Sequence, residues 1–137
     1  MDQQRPRRGG GKEREFDLEE RLLRFTCNII DIVESLPNSR AGNHIGGQLI
    51  RCGTSPLANY AEAQSAESRS DFIHKLRVVL KELRETRVWL LVIDRKSLSS
   101  KPSLVKETLA ECVELIAIFR SSIATADANR RKEKTEG

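Results

Sequence analysis

The sequence predicts an all-α protein, an antiparallel up-down-up-down four-helix bundle. Three observations carry that expectation. Apolar residues recur at alternating steps of four and three along four separate segments, the spacing of one helix face. Short polar turns separate the segments, marked by proline or by a capping pattern. Hydrophobic content is 38% but aromatics are only 4%, so the core is aliphatic, which suits packed helices better than a sandwich of sheets.

The first helix is expected to start near Asp17, with Glu20 three residues on in a capping-box arrangement. Its inner row is Leu18, Leu22, Phe25, Ile29, Ile32 and Leu36, and Pro37 ends it. The second runs from about Ser39 to Ala66, with Ile45, Leu49, Cys52, Pro56, Asn59 and Ala63 inward. Its many small residues let a neighbouring backbone approach closely. Pro56 lacks an N–H and clashes with the preceding turn, which predicts a kink or break near Gly53–Pro56. Ser68 and Asp71 cap the third helix, whose row is Phe72, Leu76, Val79, Leu83, Thr86, Leu90 and Ile93. Pro102 opens the last, with Val105, Leu109, Cys112, Ile116, Phe119, Ile123 and Ala126 inward.

The chain divides into a basic leader over 1–15, a bundle over 16–126 and a charged tail over 127–137, with both ends expected to be disordered. The net charge is +4. The leader holds five Lys/Arg against three Asp/Glu and the tail four against three, so the bundle is nearly neutral. Basic ends attract phosphate. Cys27, Cys52 and Cys112 show neither metal spacing nor a pairing pattern and read as small core residues in a reducing compartment. The first residues lack the apolar stretch of a signal peptide, and the longest apolar run, Val88–Ile93, is too short to span a membrane. The expectation is a cytoplasmic protein.

Three segments, RCGTSPLANYAEA (51–63), DFIHKL (71–76) and KELRETRVWL (81–90), resemble the bacterial four helix bundle protein family. That family is also known from proteins encoded in intervening sequences of large-subunit ribosomal RNA genes. The resemblance covers about residues 16–126. It implies a four-helix bundle assembling as a ring-like homopentamer. A related branch, the accessory variability proteins of diversity-generating retroelements, is basic and binds a reverse transcriptase and nucleic acid.

Nothing in the sequence assembles an active site. His44 and His74 are far apart, Ser55 has no nucleophile-elbow setting, and the glycines at 9–11 follow no strand. No cofactor, metal or small-molecule substrate is expected. Arg51, Ser55, Asn59 and Glu62 share one side of the second helix and face Glu82 and Glu85 on the third, which reads as a buried polar network fixing helix register. Arg77, Lys81, Arg84 and Arg87 form a basic edge, the candidate nucleic-acid surface. Tyr60 and Trp89 stand alone on their helices, which argues against stacking-based single-strand recognition. Val88, Trp89, Leu91, Val92 and Ile118 lie in segments apolar all round, which predicts cover by a second subunit. The leading reading is a non-enzymatic homo-oligomeric scaffold that binds RNA, DNA or a nucleic-acid enzyme such as a reverse transcriptase. The alternative is a protein-interaction module with no nucleic-acid role.

Overall fold

The computed structural model describes the backbone of residues 11–136 and the side chains of residues 17–135. It contains four helices: α1 (Gly11–Glu34), α2 (Arg40–Gln64), α3 (Arg69–Arg95) and α4 (Pro102–Glu136). Among the described residues there is no strand. Each helix packs on the next, and α4 packs on α1, while the backbones of the diagonal pairs stay apart. Contacts run in opposite senses along neighbours. Arg21 meets Glu111 whereas Ser35 meets Ser99, so α1 and α4 are antiparallel.

Local chemistry sets the turns. Ser39 is the N-cap of α2, and its hydroxyl accepts from the Gly42 N–H at 3.0 Å. Ser68 does the same for α3 with the Asp71 N–H, also at 3.0 Å, and Asp71 adds a carboxylate to the first turn, where the helix dipole favours it. The turn after α3 places Ser97 in the left-handed region at φ 51°.

The core is aliphatic, as expected. Leu22, Phe25, Ile29 and Ile32 of α1 meet Leu49 and Cys52 of α2, Val79, Leu83 and Leu90 of α3, and Cys112, Leu115 and Phe119 of α4. One aromatic contact crosses it, Tyr60 edge-on to Phe119 with ring centres 5.8 Å apart.

Five expectations need correction. Helix α2 runs unbroken through Pro56, which is buried. The roughly 3 kcal/mol a mid-helix proline costs is offset here by tertiary packing. The inner position of α2 is held by Tyr60, with Asn59 only half-buried at its flank. On α4, Thr108 and Leu115 face the core, and Leu109 and Ile116 are half-buried at its edge. That helix carries two adjacent apolar rows, and spacing alone does not choose between them. The tail is also not separate from the bundle: α4 continues to Glu136. Arg77 pairs with Asp127 at 2.7 Å and Arg69 with Glu133 at 2.6 Å, so α3 supports the last turns of α4. At the other end, α1 begins at Gly11 rather than near Asp17, and residues 1–10 of the leader lie outside the described residues.

The Thr108 hydroxyl is buried with no hydrogen-bond partner among the described residues. An unsatisfied buried polar group costs about 1–3 kcal/mol, so Thr108→Val, which keeps the shape and removes the hydroxyl, is expected to stabilise the fold by about 1 kcal/mol in urea unfolding.

Candidate interaction surfaces

The four cations of the basic edge are all exposed on α3 but differ in their surroundings. Arg77 is held by Asp127. Lys81, Arg84 and Arg87 have no carboxylate partner among the described residues, whereas Arg21, Arg24, Arg51, Arg69, Lys75, Lys106 and Arg130 all do. Arg84 and Arg87 line a shallow groove of about 340 Å³ between α3 and α4, floored by Val88, Val113 and Ile116. Two of the nucleic-acid candidates, Arg84 and Arg87, and one subunit-interface candidate, Val88, therefore share this groove, apolar at its centre and arginine at its rim.

The interface candidates themselves separate. Val88 and Leu91 are exposed, Val88 by 51%. Trp89 and Val92 are half-buried. Trp89 donates its indole N–H to Glu85, one turn earlier on α3, at 3.2 Å, and His44 of α2 stands edge-on to its ring at 6.2 Å. Ile118 lines a cavity of about 590 Å³ on another side, together with Leu18, Phe72, Leu76 and Phe119. Ser121 and Ser122 border that cavity, but no histidine or cysteine does.

Sequence reasoning missed Val113, Leu23 and Ile30, which are 48%, 46% and 43% exposed. The signal was available. Leu23, Cys27 and Ile30 make a second row on α1 at steps of four and three, one position off the core row, and all three are exposed.

The polar set between α2 and α3 is assembled but not buried. Arg51 is 52% exposed and bridges Glu82 at 3.5 Å and Glu85. Asn59 donates to the Ser55 hydroxyl at 2.9 Å, and Glu62 pairs instead with Lys75. The set fails to be a core network because Leu49, Cys52, Pro56 and Tyr60 occupy the inner side of α2. Exposed pairs of this kind are worth about 0–1 kcal/mol each. The bidentate Arg21–Glu111 pair, at 2.7 and 2.9 Å, ties α1 to α4, and those hydrogen bonds push the guanidinium pKa further up.

No group of three or more metal-ligating side chains occurs among the described residues, and no described helix is long and apolar enough to cross a membrane. His44 and His74 are both exposed and on different helices. The buried cysteines are poor nucleophiles. Burial pushes the Cys112 thiol up to about 12, with Cys52 nearby adding to the rise, and burial likewise raises Cys52. At neutral pH, a thiol reagent is expected to leave Cys52 and Cys112 unmodified while the bundle is folded and to reach both after unfolding, as read by mass spectrometry.

The family model described as 23S rRNA-intervening sequence protein matches residues 14–121. The chain belongs to that family. The matched span covers nearly all of α1, all of α2 and α3 and the first part of α4, leaving the last turns that carry Asp127 and Glu133 beyond it. Among solved structures, the chain is similar to a protein of unknown function from the S23 ribosomal protein family of Bacteroides thetaiotaomicron. Identity is 31% and the TM-score 0.70, over 77% of this chain and 97% of the other. No curated protein matches the chain significantly. The chain is thus a four-helix member of the 23S rRNA-intervening sequence protein family, and no enzymatic family is indicated.

Proposed function

We propose that this chain is a non-enzymatic helical scaffold that assembles with copies of itself and holds RNA or DNA by its phosphates. The observation that carries the reading is the α3–α4 face, with Val88, Leu91 and Val113 exposed beside Arg84 and Arg87, which have no carboxylate partner among the described residues. Exposed apolar surface rimmed by polar groups marks an interaction site. Uncompensated Lys and Arg attract a polyanion, and binding then falls with salt as counterions are released. Lys81, Arg131, Lys132 and Lys134 lie exposed and outside the groove, with no carboxylate partner among the described residues. The leader adds Arg5, Arg7 and Arg8 in sequence. One copy offers few such contacts. Several copies in one assembly would sum them, so binding should depend on assembly.

The expected result is retention of RNA and DNA of mixed sequence at low salt, lost steeply as salt rises. Lys81→Glu with Arg131→Glu and Lys132→Glu should weaken it across sequences without changing the mass of the assembly. Absence of retention by the assembled protein at low salt would overturn the nucleic-acid part.

The apolar centre of the groove favours one second reading, a pure protein-interaction module. Under it the same variants leave partner binding unchanged and nucleic acid is never retained.

A further inference from the structure

We propose that the cleft between α1 and α4 is a binding site for a small, uncharged aromatic molecule. The site shares no residue with the arginine groove and does not depend on the nucleic-acid reading.

The cleft follows from the side chains on its two edges. Of the neighbouring helix pairs, α1 and α4 pack least extensively. Beyond the Arg21–Glu111 pair, α4 offers Ala117, Ser121 and Ser122, which are too short to fill the gap to Leu18. A space of about 590 Å³ is left. Small-molecule pockets span about 300–1,000 Å³ and are mostly apolar, with a few polar groups that orient the guest. Here the apolar walls come from all four helices: Leu18, Tyr60, Phe72, Leu76, Ile118 and Phe119. Tyr60, Leu76 and Phe119 are buried and close the bottom. Ala117, Ser121 and Gln64 are exposed and stand at the mouth.

The lining sets the chemistry of the guest. The rings of Tyr60 and Phe119 stand at 82° with centres 5.8 Å apart. A flat guest beside them can stack on one ring and meet the edge of the other, both favoured geometries. The rim decides the charge. Arg21 is the one cation on it among the described residues, and Glu111 holds that guanidinium by two hydrogen bonds. Glu114 and Asp17 add their fields to that of Glu111. A carboxylate or phosphate guest would meet this excess of negative charge. A cation would leave water for apolar walls, a cost that exposed and solvated carboxylates do not repay. Gln64, Ser121 and Ser122 offer neutral donors and acceptors instead, and none has a side-chain hydrogen-bond partner among the described residues. They suit a hydroxyl or carbonyl group on the guest.

The test titrates the full chain with naphthol, which is uncharged at neutral pH, and follows the naphthol fluorescence. Saturable binding of one molecule per chain is expected, with a rise in the thermal midpoint of the protein. Naphthoate, the same ring system bearing a carboxylate, should bind about tenfold or more weakly. Ser122→Leu, which fills the cleft, should weaken naphthol binding by a similar factor, with an unchanged helical spectrum and an equal or higher unfolding midpoint. Ala117→Leu gives the same reading from an exposed position at the mouth, where a larger side chain does not disturb the core. Val113→Ser, in the arginine groove, should leave naphthol binding unchanged. Unsaturable binding, or binding that both leucine variants leave intact, would overturn the proposal. Equal affinity for naphthoate would overturn the uncharged class of guest. Binding that appears only on removal of residues 1–10 would give the cleft to the chain's own leader, and binding lost as the chain assembles would give it to a second copy. Either result would overturn the proposal as well.

Discussion

Leu83→Ala is expected to lower the unfolding free energy by about 2–5 kcal/mol, the range for a large-to-small change at a fully buried aliphatic site. Leu83 is 0% exposed at the middle of α3. Its carbonyl accepts the Cys112 thiol at 3.2 Å, so α4 is pinned against this turn and has little freedom to close over a cavity. The measurement is urea unfolding at constant m-value. A loss below about 1 kcal/mol would mean that the site collapses freely and that the close packing described for the α3–α4 seam is wrong.

Gly42→Ala is expected to destabilise the protein by about 1–3 kcal/mol, although alanine is the better helix former by about 1 kcal/mol. A methyl built on Gly42 would lie 2.1 Å from the Pro37 carbonyl oxygen, far inside contact distance. The obstacle is backbone, which has no rotamer into which to retreat. Relief requires the turn between α1 and α2 to move, and that turn carries the Ser39 cap, whose bond to the Gly42 N–H is worth about 1 kcal/mol. The contrasting substitution is Gly47→Ala, where nothing lies within 4 Å of the added atom. There the helix-propensity gain stands unopposed, and a small stabilisation is expected in the same unfolding assay. If both glycine variants shift stability in the same direction, the close approach at Gly42 is not the controlling feature.

The legibility of this sequence divides along a physical line. The core rows of α1 and α3 could be read directly, because in each helix the longest run of apolar residues at steps of four and three is the buried one. Leu22, Phe25, Ile29 and Ile32, and Val79, Leu83, Leu90 and Ile93, are buried where spacing puts them. In α4, Leu109 and Ile116 compete with Thr108 and Leu115, and only the position of α3 decides which pair turns inward. In α2, small residues blur the pattern, and the large side chain that fills the interior, Tyr60, sits beside the expected Asn59. Surfaces are harder still. Arg77 and Arg84 look alike in sequence, yet Asp127, fifty residues away, engages one and leaves the other without a carboxylate partner among the described residues. The second row on α1 was in view from the start, but its exposure becomes meaningful only once Leu22 and Ile29 are known to occupy the core.

The order of the helices has a consequence in time. Every packed pair except one joins helices adjacent in the chain, so most of the contacts that must form are local, and topologies rich in local contacts fold fast. The exception is α1 against α4, where the Arg21–Glu111 pair closes a loop of 90 residues. Loop closure of that length costs entropy before any contact repays it. Docking of α1 on α4 is then the step expected last, after the barrier has been crossed. Weakening that seam, as Arg21→Ala would, should leave the folding rate nearly unchanged and quicken unfolding. The lifetime of the folded chain would accordingly be set at the α1–α4 edge, and its speed of formation by the three helical hairpins.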